Sequence, residues 1–85
     1  MAGAAVAFPL LMPLDGHYDR AADIAWIVLG AFDGEHAVGH QEPWGVRETD
    51  ERTGELVALE FWRASAQLPA ALLDALPAPR AHQPV

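Results

Sequence analysis

His36 and His40 stand four residues apart, the spacing that puts two imidazoles on one helix face as a metal pair, with Glu35 and Glu42 near enough to add oxygen ligands. Gly34 and Gly39 bracket them and remove the helical context that gives the spacing its meaning. Both histidines therefore read as solvated loop residues. Asp50, Glu51 and Glu55 crowd one turn as calcium ligands do, but the glycine and distal glutamate of an EF-hand are missing, and a solvated acidic turn is the better reading. Ser65, the single serine, has no Gly-x-Ser-x-Gly frame and reads as a helix cap rather than a nucleophile. The chain holds no cysteine, which excludes disulfides, thiolate zinc sites, iron–sulfur clusters and cysteine nucleophiles. Its glycines are scattered, and no phosphate-cradling Gly-Lys-Ser/Thr occurs. These residues predict no catalytic site, no cofactor and no metal. A metal-dependent hydrolase built on His36 and His40 is the alternative from another class.

The elements that would position such groups belong to a small domain. The chain has 85 residues, 52% of them hydrophobic, but many of these are alanine, so the core is small and gains from cover by a second subunit. Five basic residues, all arginine, face twelve acidic ones, for a net charge of −7. Nothing here neutralises a run of phosphates, so nucleic-acid binding is excluded. Residues 1–14 form an apolar N-terminal extension. It lacks the basic start of a secretory signal, Pro9 and Pro13 interrupt it, and it is too short to span a bilayer. A cytoplasmic protein without membrane contact is expected.

Residues 23–29 are a short apolar run of strand length, with Ile24, Trp26 and Val28 on one face and Ala25, Ile27 and Leu29 on the other. A strand apolar on both faces is covered on both, by the chain's own helix and by a partner subunit. Residues 30–45, punctuated by Gly30, Gly34 and Gly39, read as loop or irregular edge. Residues 46–62 read as a hairpin turning through residues 49–54, where Gly54 supplies a positive φ. On its return strand Glu60 is the one charge in the apolar pattern; a buried carboxylate there calls for Arg47, Arg63 or backbone N–H groups as partner. From Ala64 the period changes: Leu68, Leu72, Leu73 and Leu76 recur at helical spacing, Ser65 or Gln67 caps the helix, and Pro77 and Pro79 end it. Residues 15–77 form a single domain and residues 78–85 a polar tail. The three tryptophans, Trp26, Trp44 and Trp62, read first as core packing, Trp26 and Trp62 in the sheet faces; they are also the interface candidates, with Trp44 in Glu-Pro-Trp-Gly as an exposed anchor for a partner.

The segment Tyr18-Asp19-Arg20-Ala21-Ala22-Asp23, followed by an apolar strand with an aromatic before Ile27, resembles the start of the small bacterial DUF-2283 family. Asp50 through Gly54 and the strand up to Phe61 are similar to that family's hairpin, and Ala64-Ser65 before Leu68-Pro69 to its closing motif. The resemblance covers about residues 16–77. The longer N-terminal extension, the Gly- and His-rich stretch 30–45 and one extra residue in the 50–54 turn depart from the pattern. The resemblance implies an α+β fold, a small antiparallel sheet of three or four strands with one C-terminal helix. It brings no catalytic residues, and an antitoxin-like role among relatives is an implication only. Read physically, Asp19 caps the turn, and Asp23 accepts backbone N–H groups at the start of the next strand.

The function expected is protein–protein contact, as a homodimer burying parts of Trp26, Trp44 or Trp62, or as an antitoxin-like neutraliser of a small basic toxin. Replacing both His36 and His40 with Ala is expected to leave the melting temperature nearly unchanged, since surface substitutions cost within about 0.5 kcal/mol. A loss of several degrees, with zinc raising the melting point of the wild type alone, would establish a ligand pair.

Overall fold

The computed structural model describes residues 15–79. The expectations for the extension 1–14 and for the tail from Arg80 onward lie outside the described residues. Five strands form one antiparallel sheet: β1 (Gly16–Asp19), β2 (Ile24–Val28), β3 (Ala37–Glu42), β4 (Gly45–Asp50) and β5 (Leu56–Trp62), in the order β1-β2-β5-β4-β3. Two short helices follow, α1 (Ala64–Gln67) and α2 (Ala70–Ala75).

The class is α+β, with two corrections to the sequence reading. The sheet has five strands rather than three or four, because the stretch that reads as loop or irregular edge holds β3, a regular strand at the sheet edge. Gly39 and His40 hide it, and its order comes from the partner strand: six residues pair in register with β4, from Ala37 against Asp50 to Glu42 against Gly45. The single helix is two helices, broken at Pro69. The residue before a proline is pushed out of the helical region, and Leu68 is extended at φ −122°, ψ 150°.

Among the described residues the main buried cluster lies on the helix side of the sheet. Tyr18, Ala25, Ile27, Ala64, Leu73 and Leu76 are buried together, with Phe61, Leu68 and Leu72 packed against them. Leu73 and Leu76 each contribute about 1.5–3 kcal/mol through burial. Two glycines set strand entries. Gly16 and Gly45 have φ of 133° and 154°, and a Cβ on either would meet a carbonyl oxygen of the adjoining strand, Trp26 or Glu60, at 1.9 and 1.8 Å. The outer edge of β1 is partly closed where the Tyr18 N–H donates to the Pro77 carbonyl at 2.8 Å.

Asp23 fastens the helices to the sheet. It sits before β2 at φ 58°, a left-handed position that an aspartate tolerates better than most residues. Its Oδ1 accepts the Tyr18 hydroxyl at 2.6 Å and the Ser65 N–H at 2.9 Å, and its Oδ2 accepts the Ser65 hydroxyl at 2.6 Å. Its backbone carbonyl accepts the Ala64 N–H at 2.9 Å. Asp23 therefore caps the start of α1 from a distance, instead of accepting N–H groups at the start of β2. Ser65 is a donor to that carboxylate, and neither it nor Gln67 caps the helix with its own side chain. Arg63, also left-handed at φ 50°, makes the corner. Asp19 holds the preceding turn by accepting the Ala22 N–H at 3.1 Å.

The hydrogen bonds from Ser65 and Tyr18 hold the Asp23 carboxyl below its ordinary pKa, and the bond to Asp23 raises that of Tyr18. Asp50, at the β4–β5 turn, is also lowered, first by the side-chain bonds from Arg52 at 3.1 and 2.7 Å. The lowered carboxylates stabilise the fold fully above their unfolded pKa of about 3.9, and that contribution is lost as pH falls through the folded values. Tyr18 contributes fully below its unfolded pKa of about 10 and loses that contribution as pH rises through its raised folded pKa. The melting temperature should therefore be flat from about pH 5 to about pH 9 and decline on both sides. Asp23→Asn should lower the plateau and flatten part of the acid limb. Melting curves across pH check this; an Asn variant that superimposes on the wild type throughout would contradict the role given to Asp23.

Candidate interaction surface

Residues paired across an antiparallel sheet share a face, so the register places every strand side chain. On the face opposite the helices one row runs His17, Trp26, Glu60, Val46 and Gln41 from β1 to β3. The next row runs Val28, Ala58, Glu48 and Gly39, and on the other side Ile24 pairs with Trp62. Neither helix packs here, since the buried cluster that holds them lies on the other face. Ile24, Trp26, Val28, Val46 and Trp62 all remain half-buried.

Two hydrogen bonds organise this face. The Trp26 indole reaches from β2 across β5 and donates its Nε1–H to Glu48 Oε1 at 3.1 Å. Ala58, the β5 residue registered between Val28 and Glu48, is fully buried, and its small side chain leaves room for the crossing. The Trp62 indole donates to Glu60 Oε2, two residues back on the same strand, at 2.9 Å. Glu60 meets this indole rather than Arg47 or Arg63, because Arg47 is registered with Leu59 on the helix face and pairs there with Glu42 at 3.1 Å. Trp26 is flanked by His17, with ring centroids 5.5 Å apart, and met edge-on by Phe32 at 5.2 Å. Gly39 leaves space beside Val46, whose Cγ1 would lie 3.1 Å from a Cβ built there.

The structure brings Trp26, Trp62 and Glu60 together on this face. Trp44 lies apart. It sits in the β3–β4 turn on the helix side, stacked at a tilt on Phe61 with centroids 5.0 Å apart, and its carbonyl accepts from Trp62 N–H and from Gln67. Asp19 and Asp23 serve the β1–β2 turn and the helix start, as described above. His36 contacts Glu51 at 3.0 Å from the turn before β3, whereas His40, in β3, contacts Thr49 at 2.9 Å. Each thus takes its own partner, and among the described residues no three His, Asp or Glu side chains converge as a metal-binding group. Asp50 is engaged by Arg52, and Glu55 lies exposed beside Thr53. Among the described residues no helix is long and apolar enough to cross a membrane.

Sequence reasoning missed Glu48, Val46 and Phe32. The alternation of Val46 and Glu48 carries the signal for the first two, once β4 is seen to lie beside β5. Phe32 has none, because a glycine-bounded loop brings it to Trp26. Comparison with protein-family models, curated proteins and solved structures finds no match to this chain.

Glu60→Ala leaves the Trp62 indole without its acceptor on a half-wet face, and should cost about 1 kcal/mol. Glu60→Gln keeps a carbonyl acceptor and should cost about 0.5 kcal/mol or less. Denaturant melts of both variants check the order; equal stability of Glu60→Ala and wild type would mean that the indole bond contributes nothing.

Proposed function

We propose that this chain is a non-enzymatic protein that works by protein–protein contact, with the bare face of its sheet as the working surface. The observation that carries the reading is the asymmetry of the sheet. The helices close one face over Ala25, Ile27, Leu73 and Leu76, while the other keeps two indoles and three aliphatic side chains half in water. Apolar area of this kind, rimmed by polar groups, marks interaction sites, and tryptophan is over-represented among the residues that dominate binding.

The DUF-2283 resemblance is kept as part of the same proposal. What supports it is that its distant motif residues Tyr18, Asp23 and Ser65 meet in one hydrogen-bonded cluster. The hydrolase reading has less support, with His36 and His40 on separate elements and separate partners. Two occupants of the face follow from the sequence, a second copy in a homodimer and an unlike, basic protein of the kind an antitoxin meets.

A photo-crosslinking residue placed at position 46, on the bare face, and at position 71, on exposed α2, separates a working surface from general stickiness. In cells of the native host, position 46 should give one discrete adduct and position 71 none. No adduct at either position, or the same set at both, would overturn the assignment.

A further inference from the structure

The charge on the bare face selects between those occupants. Glu48 and Glu60 are diagonal neighbours on it, Glu60 registered with Val46 and Glu48 with Ala58. Each gives one carboxylate oxygen to an indole, Glu48 Oε1 to Trp26 and Glu60 Oε2 to Trp62, which leaves the other oxygen of each for a ligand. No strand position in these rows carries an arginine. Three of the chain's guanidinium groups are engaged elsewhere, Arg20 with Asp74 at 2.9 Å, Arg47 with Glu42 at 3.1 Å and Arg52 with Asp50 at 2.7 Å.

A second copy packed about a two-fold axis would bring its own Glu48 and Glu60 toward the same pair. Four carboxylates would then share a desolvating interface with no arginine from those rows and His17 as their one basic side chain, and buried charge without a partner is strongly unfavourable. A cationic side chain meets the opposite situation. The faces of Trp26 and Trp62 attract it through their quadrupoles, and the open carboxylate oxygens accept its hydrogens. The aliphatic floor of Ile24, Val28 and Val46 suits apolar residues that alternate with it.

Resting on the reading of this face as the working surface, we propose that its occupant is an arginine-bearing apolar segment of another protein, held by Trp26 and Trp62 with Glu48 and Glu60 as the charge partners. The segment lies across the sheet face. Its attraction weakens with salt, since the net charge of −7 draws cations to the whole molecule while the carboxylate pair fixes them here.

The probe is a short peptide alternating arginine and leucine, titrated into the full chain and followed by tryptophan fluorescence and by backbone NMR shifts; the same peptide with glutamate for arginine is the control. The arginine peptide should bind saturably, move the amide signals of β2, β4 and β5 on the bare face, and lose affinity as salt is raised. The glutamate peptide should not bind. The double variant Glu48→Gln, Glu60→Gln should bind about tenfold more weakly. The charge-matched double variant Glu35→Gln, Glu55→Gln, which alters exposed carboxylates elsewhere, should bind like the wild type. If Glu48→Gln perturbs the fold, Trp62→Leu with an unchanged melting profile takes its place and should weaken binding as much. Equal weakening by both double variants would reduce the effect to net charge and overturn the proposal. Shifts confined to the helix side would overturn the reading of the face itself. A wild-type dimer by light scattering, disrupted by Val46→Glu and indifferent to the peptide, would overturn the cationic partner while leaving the face as the working surface.

Discussion

The fold depends on the Asp23 carboxylate. The helices that follow β5 are four and six residues long, far below the length at which a helix holds itself together in water. They persist because a side chain from the opposite end of the chain caps the first of them and Leu73 and Leu76 bury themselves on the sheet. The cap and the burial depend on each other. Without the Ser65 and Ala64 bonds to Asp23, the left-handed corner at Arg63 costs strain with no return, and the leucines lose their approach to Ala25 and Ile27. The alanines share this logic, since Ala25 and Ala64 are fully buried in the cluster that joins sheet and helices.

The described residues supply one pair of helices for two sheet faces, and the Asp23 cluster commits both to the same side. The other side is thereby left with large aromatic groups, which pack sideways instead of inward. Trp26 lies across β5 toward Glu48, and Trp62 folds back on Glu60. Each glutamate both satisfies an indole N–H and keeps the apolar face from being uniformly greasy. The proposed cationic partner rests on these same two carboxylates.

Much of the fold is legible in the sequence because it rests on local pattern. The run 24–28 and the strands 45–50 and 56–62 show themselves through β-branched and aromatic residues and through the Asp50–Gly54 turn. β3 does not, since Gly39, His40 and Gln41 have no alternation of their own and become a strand only through pairing with β4. Pro69 carries the signal for the break between the helices, but the regular leucine spacing across it reads as one continuous element. Of the candidate surface, Trp26, Trp62 and Glu60 announce themselves as unusual residues in strands. Their arrangement does not, because the bond from Trp26 to Glu48 spans two strands and 22 positions of sequence. The remote cap is hidden for the same reason: Asp23 and Ser65 are 42 residues apart.

Among the described residues, one face of the sheet is closed by the Asp23-anchored helices and the other lies open. Paramagnetic relaxation by a soluble, uncharged gadolinium chelate measures this directly on the dilute protein. The side-chain protons of Ile24, Val28, Val46 and Trp62 should broaden strongly, while those of Ala25, Ile27, Leu73 and Leu76 stay sharp. Equal protection of both sets would contradict the account, because the second face would then be covered.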